Sequence, residues 1–305
     1  MERKTLTIGR NMSLIVDHLL ADKFSQDTID EILNTENKSL YKIFTIKQKG
    51  KERVIEEPIQ LLKEIQQSLI SFFSIVDLHP SCMAKKGKSI LNNAELHMDA
   101  TNILKVDIKK CYPSITLQHL ISSFMLKHIE LLEDIDKIAK FCFLEKDSQL
   151  VLPTGAPTSP ILCNIALHPI DLQIQTLADQ YNYIYSRYID DMIFSNTIVE
   201  RHWDLKEKVE QILQEHLLVP NFKKSKWARR TDKMIVTGVR INGSNRVPKD
   251  FSRLLRAKLQ NLAKENKEID QETRGCLAYV QSIDPQKYED FLKYFERRKA
   301  YVPSQ

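Results

Sequence analysis

The sequence predicts an α+β protein, in which a small mixed or antiparallel sheet packs with helices and is followed by a helical, basic C-terminal region. Three observations support this prediction. Short runs of β-branched and aromatic residues alternate with longer segments whose apolar residues recur at spacings of three and four. Residues rich in turn-forming types separate these segments. The last part of the chain combines leucine with many charged residues at helical spacing.

The first part of the chain is predicted to hold short helices, a hairpin and a longer helix. Residues 12–37 form the short helices, with Ser25 as a cap. Residues 41–55 form a β-hairpin in which Gly50 supplies the turn. Pro58 then opens a helical stretch.

The central part is predicted to alternate between the two types of structure. A strand covers residues 103–108 and helices cover 117–144. Residues 150–160 contain three prolines and a glycine, which excludes a regular helix. A helix follows over about 161–181, and residues 181–196 form a strand, a tight turn and a second strand.

The final part is predicted to be mainly helical. A helix covers residues 201–218, a second β-hairpin covers 233–247, and the remaining residues form a helical bundle. No internal repeat or low-complexity segment interrupts this pattern.

Composition excludes several classes of protein. Hydrophobic residues make up 42% and charged residues 28% of the chain, which excludes disordered, collagen-like and disulfide-scaffold proteins. No apolar run approaches the roughly 20 residues of a membrane span, and no signal-peptide core follows the start. The five cysteines are scattered without a CxxC pair, which fits a reducing compartment. We therefore expect a cytoplasmic protein with no membrane partner.

Positive charge is concentrated at the C-terminal end. Residues 221–305 contain 20 lysines and arginines against 10 acidic residues, whereas the rest of the chain contains 25 against 30. This asymmetry indicates either a polyanionic partner at one end of the molecule or a solvated basic helix face.

Two adjacent carboxylates are the sharpest feature of the sequence. Asp190 and Asp191 lie at the turn between two apolar strands, where their repulsion needs an offsetting charge such as a divalent cation. Asp107 ends another apolar strand, and if the strands are neighbours it faces Asp190. Two carboxylates holding two Mg²⁺ ions form a site for in-line phosphoryl transfer. The alternative is a polar turn, a position that aspartate also favours.

In combination, the segments around these aspartates resemble the palm of reverse transcriptases, specifically the retron reverse transcriptases of bacteria. The motifs that carry the resemblance occur in family order: Asn93-Ala94 with His97, Asp107 to Tyr112, Leu152 to Pro160, Arg187 to Asp191, Asn221 to Ser225, Val236-Thr237-Gly238 and Arg274-Gly275. Cys111, Thr154 and Ile189 depart from the family's usual aromatic, glutamine and alanine. None of these departures removes a predicted metal ligand.

The resemblance implies a right-hand polymerase. The N-terminal helical extension would cover residues 1–40, the fingers 41–100, and the palm 101–235 with fingers elements interleaved. Residues 236–305 would form the primer-grip hairpin and a helical thumb. Asp107, Asp190 and Asp191 would be catalytic and, with the main chain of Ile108, would bind two Mg²⁺ ions, for which Mn²⁺ can substitute.

The resemblance also implies a nucleotide-binding set: Lys51, Arg53, Tyr112, Gly155, Ala156, Pro157 and Lys224. Tyr112 would exclude a 2′-hydroxyl, and Arg53 would hold the triphosphate. Each assignment has a structural alternative. These alternatives are a core tyrosine, a solvated hairpin face for Lys51 and Arg53, an ordinary proline-rich loop, and for Lys224 a plain phosphate contact instead of a general acid.

The implied nucleic-acid contacts are Asn93, His97, Ser159, Val236, Thr237, Gly238, Arg253, Arg256, Arg274, Arg297 and Arg298. His97 and Asn93 alternatively brace the palm. Trp227 and Tyr301 either stack on bases or are buried aromatics.

The function implied is RNA-directed DNA synthesis. The enzyme would use dNTPs to copy a cognate noncoding RNA, primed from a guanosine 2′-hydroxyl, into branched multicopy single-stranded DNA. It would act in anti-phage defence with a separate effector protein from the same operon, because 305 residues leave no room for a fused one. Two alternatives are another bacterial reverse transcriptase, of the intron-maturase or abortive-infection type, and a non-catalytic RNA-binding scaffold.

Overall fold

The computed structural model describes residues 13–48, 50–242 and 246–300, apart from the side chains of residues 48 and 51. Its α-helices are α1 (Leu14–Ala21), α2 (Gln26–Asn34), α3 (Gln60–Phe73), α4 (Ile90–Glu95), α5 (Cys111–Ser114), α6 (Leu117–Lys127), α7 (Ile135–Cys142), α8 (Ser159–Ala166), α9 (His168–Gln180), α10 (Asp204–Glu215), α11 (Lys249–Lys264), α12 (Gln271–Ile283) and α13 (Pro285–Ala300). Its strands are β1 (Tyr41–Gln48), β2 (Lys51–Pro58), β3 (Asn102–Asp107), β4 (Leu144–Lys146), β5 (Gln149–Val151), β6 (Ile184–Tyr188), β7 (Asp191–Asn196), β8 (Lys226–Arg229), β9 (Ile235–Val236) and β10 (Val239–Arg240). Within the described ranges, every helix is too short or too polar to cross a bilayer.

The chain divides into two compact units, which we call unit one and unit two. Unit one contains the residues up to Pro80, Ile108–Gln173 and Ile212–Val219. Unit two contains Ser81–Asp107, Ile174–Gln211 and the residues from Pro220 onwards.

Unit one contains the predicted first hairpin. Strands β1 and β2 pair antiparallel around Gly50, whose φ of +73° is accessible to glycine. Ser25 caps α2 as predicted, because its side chain accepts a hydrogen bond from the Thr28 amide at 3.1 Å. Pro58 does not open a helix: it is the last residue of β2, opposite Tyr41, and α3 begins two residues later.

Residues 117–144 are helical as predicted up to Cys142, through α6, a short 3-10 helix and α7. The β4–β5 hairpin that follows was not predicted, and its turn residues Asp147 and Ser148 both have positive φ. One further prediction needs correction. The single helix predicted over 161–181 is the pair α8 and α9, which meet at Leu167. Pro169 has no amide hydrogen to continue the ladder of α8, but it fits the first turn of α9.

Unit two is built on a four-stranded antiparallel sheet with strand order β6-β7-β3-β8. Strand β8 was not predicted, because residues 226–229 are charged and too few to show a period. Its place follows from pairing with β3, where Trp227 lies opposite Leu104.

The predicted C-terminal bundle is confirmed as α11, α12 and α13 in unit two. Their apolar faces form one buried cluster with the β9–β10 hairpin, through residues such as Leu259, Val280, Phe295 and Val236. The predicted hairpin over 233–247 is shorter than expected, since only two residues on each side pair regularly.

Candidate active site

The β6–β7 turn presents Asp190 at one end of the sheet. Ile189 has φ +57°, a conformation that is strained for a β-branched residue. The fully buried Arg187 stabilises the turn, since its guanidinium donates to the Ile189 carbonyl at 3.0 Å. A buried cation thus stabilises the backbone that carries the two predicted catalytic aspartates.

Strand pairing adds Asp107 to the same end of the sheet. Asp107 is the last residue of β3 and lies opposite Asp191 in the register, so these two side chains share a face. Asp107 is only 4% exposed. Its carboxylate accepts from the Asn221 amide at 2.9 Å and from the Lys224 ammonium at 2.5 Å. The Asn221 backbone also donates to the Asp107 carbonyl at 2.7 Å, which fixes this turn to the strand end.

The electrostatics of the site favour a cation. Burial, together with the charges of Asp107 and Asp191, raises the pKa of Asp190. Desolvation lowers the pKa of Lys224, but its hydrogen bond to Asp107 and the nearby carboxylates outweigh that effect and raise it. Lys105 lies 3.4 Å from Asp191. Asp107, Asp190 and Asp191 offer hard oxygen donors, the ligand type that divalent metal ions prefer, but within the described ranges no three His, Cys, Asp or Glu side chains come close enough together to hold a metal ion.

Ile108 and Tyr112 follow strand β3 in the sequence. Ile108 is buried, and Tyr112 lies half-buried on the one-turn helix α5 of unit one. Cys111, where the family has an aromatic residue, is buried with its sulfur 3.4 Å from that of Cys163. At this position, Cys111 therefore packs in the interior of unit one in place of the family's aromatic residue.

The loop around Gly155 is tied to strand β2. Gly155 has φ +123°, and a Cβ there would lie 3.0 Å from Ile55 Cγ2 and 3.3 Å from the Glu56 carbonyl oxygen. The buried Glu56 accepts from the Thr154 amide at 2.7 Å and pairs with Lys146. Glycine is required here because the backbone approaches β2 closely.

The neighbouring predicted residues have different environments. Ala156 is buried and Pro157 is half-buried. Ser159 is fully buried, and its hydroxyl donates to the Pro153 carbonyl at 2.7 Å, which favours a structural role. Arg53 is exposed on β2. The predicted Lys51 side chain lies outside the described residues, as does Lys49.

Asn93 and His97 lie in the interior of unit two. His97 is 1% exposed, and its two ring nitrogens are each 2.7 Å from a serine hydroxyl, those of Ser186 and Ser195. The Ser186 hydroxyl also donates to Asn93 at 2.6 Å. These bonds connect α4 and the segment just after it to β6 and β7. They favour the palm-bracing interpretation over a direct RNA contact, because neither side chain reaches the surface.

The predicted primer-grip tripeptide is also held by local contacts. Val236 is fully buried. The Thr237 hydroxyl donates to the Ile90 carbonyl at 3.0 Å, and the Tyr279 hydroxyl donates to the Gly238 carbonyl at 2.8 Å. The turn therefore links α4 to α12.

The five predicted arginines of the C-terminal bundle are exposed: Arg253, Arg256, Arg274, Arg297 and Arg298. The guanidinium carbons of Arg256 and Arg298 lie 5.0 and 5.4 Å from the Tyr294 ring centroid. Trp227 is half-buried, and Tyr301 lies outside the described residues. The exposure of the five arginines leaves their guanidinium groups available to a polyanion.

Sequence reasoning missed two groups that position the site. Glu56 with Lys146 anchors the Gly155 loop, and Lys105 approaches Asp191. For Glu56 the signal is weak, because it is one of two successive glutamates, Glu56 and Glu57, and only the one whose charge lies on the inward face needs a buried partner. Lys105 gives no such signal. It lies on the same face of β3 as Asp107, but its approach to Asp191 can be inferred only once the strand order is known.

Comparison with known proteins matches this architecture. The family described as reverse transcriptase (RNA-dependent DNA polymerase) matches residues 44–241. The telomerase of Candida albicans, solved with a fragment of telomeric RNA, superimposes with a TM-score of 0.50 at 12% identity. The match covers 96% of this chain and 61% of that one. The chain belongs to the reverse transcriptases, and the predicted right-hand polymerase fold is confirmed.

Curated relatives narrow the class. Retron Ec86 reverse transcriptase of Escherichia coli is 27% identical over 94% of this chain and 92% of its own length. Retron Ec73 reverse transcriptase, also of Escherichia coli, is 30% identical over 83% and 86%. The chain is therefore a member of the retron reverse transcriptases, and it is an RNA-directed DNA polymerase.

Proposed function

We propose that this enzyme copies a cognate structured noncoding RNA into branched multicopy single-stranded DNA, with synthesis primed from a guanosine 2′-hydroxyl of that RNA. The observation that carries the proposal is the strand register that places Asp107 opposite Asp191 and beside the Asp190 turn. Similarity to retron reverse transcriptases supports the choice of template and product.

Divalent metal ions are general to reverse transcriptases, and we propose two Mg²⁺ ions here, with Mn²⁺ able to substitute. Asp107, Asp190 and Asp191 would hold them, with the Ile108 carbonyl as a further candidate. When bound, such ions activate the attacking hydroxyl and stabilise the leaving pyrophosphate. Lys224, already hydrogen-bonded to Asp107, would place a positive charge beside the triphosphate. Its raised pKa favours a phosphate contact over proton donation.

The nucleotide-binding roles stay with the residues that the family motifs indicate. Tyr112 would contact the sugar and exclude a 2′-hydroxyl. Arg53, with its fork of donors, would bind the triphosphate, and Lys51 would add charge on the same hairpin. The Gly155-Ala156-Pro157 backbone would pass close to the nucleotide.

We further propose the division of labour that the resemblance implies. The helical extension would cover residues 1–40, of which 1–12 lie outside the described residues, the fingers 41–100, the palm with interleaved fingers elements 101–235, and the primer grip and thumb 236–305. The exposed arginines of α11, α12 and α13 would hold the RNA through its phosphates. The enzyme would act in the cytoplasm, in anti-phage defence with a separate effector protein.

The decisive experiment is to express the gene with its native flanking DNA and analyse the nucleic acid that copurifies, using DNase, RNase and a debranching enzyme. We expect a discrete branched RNA–DNA that disappears in Asp190→Asn. Asp179→Asn, an exposed aspartate of α9, is the matched control and should keep the product. RNA without DNA in all three proteins would contradict the proposal and favour a scaffold. Linear DNA that resists debranching would contradict 2′-hydroxyl priming.

Tyr112 can be tested separately. Tyr112→Ala should allow incorporation of ribonucleotides, because removal of the ring opens space for a 2′-hydroxyl. Tyr112→Phe keeps the ring and should keep the selection. The measurement is primer extension with dNTPs and with NTPs. Unchanged discrimination in Tyr112→Ala would show that another residue selects the sugar.

A further inference from the structure

An aromatic cluster occupies the end of the unit-two sheet that is remote from the aspartates. We call it the aromatic corner, and it consists of Tyr181, Tyr183, His202, Trp203 and Trp227. Ring centroids of adjacent members lie 5.1 to 6.1 Å apart in edge-to-face arrangements. Such packing is favourable and fixes the orientation of each ring.

The register of strand β3 sets the distance between the aromatic corner and the catalytic residues. Trp227 lies opposite Leu104 and Arg229 lies opposite Asn102, whereas Asp107 is at the other end of the strand. Asn102 and Asp107 are five positions apart, which is about 17 Å along a strand. A ligand at the aromatic corner is therefore distinct from the nucleotide that reacts at the aspartates.

A chain of hydrogen bonds holds the exposed part of the aromatic corner in place. The Asn102 amide donates to the carbonyls of Ile198 and Val199 at 2.7 and 3.1 Å. The Arg201 Nε donates to Asn102 Oδ1 at 3.0 Å, and its guanidinium carbon lies 5.1 Å from the Trp203 centroid. The segment that carries Trp203 is thus preorganised.

The surface of the aromatic corner combines exposed rings with positive charge. Trp203 is 61% exposed and Val199 is 82% exposed. Arg229 and Arg230 are exposed on the adjoining strand end. Burial, together with the nearby charge of Arg229, lowers the pKa of Arg201. An exposed aromatic face beside several arginines is typical of surfaces that bind single-stranded nucleic acid, whose bases stack while its phosphates contact the cations.

Nearby carboxylates are already engaged. Asp204 accepts from the Tyr181 hydroxyl and pairs with Lys208, and Asp232 accepts from the Arg229 amide at 2.8 Å. Glu200 is exposed. Together with Lys208, the three arginines Arg201, Arg229 and Arg230 give four cationic groups against these three acids, and Asp204 and Asp232 are already paired. This balance favours an anionic partner over an apolar protein surface.

We propose that the aromatic corner binds an unpaired segment of RNA, with a base stacked on Trp203 and phosphates at Arg229 and Arg230. RNA is the expected ligand because it is the enzyme's template. A second contact remote from the aspartates would anchor one part of the RNA while another part of it is copied. This surface goes beyond the catalytic site and the thumb arginines.

The sequence makes the test direct, because Trp203 and Trp227 are the two tryptophans of the chain and both belong to the aromatic corner. Tryptophan fluorescence of the full-length protein, stripped of copurified nucleic acid, is titrated with an oligouridylate RNA. We expect saturable quenching and cross-linking of the RNA to the peptide that contains Trp203. Trp203→Ala should weaken binding about 5- to 150-fold, and Trp203→Phe, which keeps a ring, should weaken it less.

Arg229→Ala/Arg230→Ala should lower the salt dependence, reducing the slope of log K against log salt by roughly one to two. Binding of oligouridylate without quenching or cross-linking at the aromatic corner would overturn the proposal. Tighter binding of oligodeoxyuridylate than of RNA would also overturn it. Neither result depends on DNA synthesis, so failure here is distinguishable from failure of the proposed function.

Discussion

Buried polar residues of unit two are positioned by specific partners, and the end of strand β3 shows this most clearly. Asp107 is almost fully buried, and its charge is stabilised by Asn221 and Lys224. Asp190 has no comparable ammonium contact among the described residues, and its pKa is raised. The difference arises from position, since Asp107 ends a central strand and Asp190 lies in a turn.

His97 gives a prediction at the scale of one residue. Burial lowers its pKa to about 3, so the ring stays neutral between its two serine partners. In the unfolded chain the ring takes up a proton near pH 6.5. Its contribution to stability is therefore fully present above about pH 6.5 and is lost as the pH falls towards 3, by about 2 kcal/mol at pH 5.

We expect His97→Gln to flatten the dependence of unfolding free energy on pH between 7 and 5, measured by urea denaturation. Ser195→Ala is the control, because it removes one hydrogen bond but keeps the imidazole. This variant should lower the unfolding free energy by about 1 kcal/mol at pH 7 and leave its dependence on pH unchanged. Parallel curves for the wild type and His97→Gln would show that His97 does not control the slope.

At the scale of elements, local sequence was sufficient where a segment's own chemistry fixes its structure. The β1–β2 hairpin and the β6–β7 turn were predicted close to their observed bounds, and the end of the chain was predicted to be a helical bundle, without bounds for its separate helices. Predictions failed where neighbouring segments decide, as in β8 and in the β4–β5 hairpin. Both are short, and a strand of three or four residues shows little periodicity until it is paired.

The Gly155 loop gives a prediction at this scale. Gly155→Ala combines a φ of +123° with contacts at 3.0 and 3.3 Å from β2, so we expect a loss of about 2–3 kcal/mol in unfolding free energy and a large loss of DNA synthesis. Gly87→Ala is the matched control, because its φ is +79° and no atom lies within 4 Å of the added Cβ. It should cost about 1 kcal/mol. Equal losses of unfolding free energy in the two variants, measured by thermal or urea unfolding, would mean that the contact with β2 does not contribute to the cost of Gly155→Ala.

At the scale of the whole molecule, charge asymmetry is the main sequence-level property that bears on partners. Residues 221–305 hold 20 of the 45 lysines and arginines, and the described arginines of α11, α12 and α13 are exposed. Exposed positive charge on a helical region favours binding to the phosphates of RNA, which is recognised largely through its backbone and shape.

Arg297→Glu/Arg298→Glu should therefore weaken binding of the cognate RNA and reduce its salt dependence, with the slope of log K against log salt falling by about two. Utilisation of dNTPs on a generic primer–template should change less. The control is Arg297→Lys/Arg298→Lys, which keeps both charges. Filter binding across a salt series measures the effect, and equal losses in RNA binding and nucleotide use would exclude α13 as an RNA-binding element.

The sequence alone determined the class of fold, most of the helices and hairpins, and the three aspartates as candidates. It could do so because turn residues, apolar periodicity and adjacent charges are local properties of the chain. Tertiary structure decided that Asp107 lies opposite Asp191, that His97 is buried between two serines, and that Trp203 and Arg201 meet at the far end of the sheet. Each of these depends on strand order and register, which arise from pairing between segments distant in the chain and leave no periodic signal within any one of them.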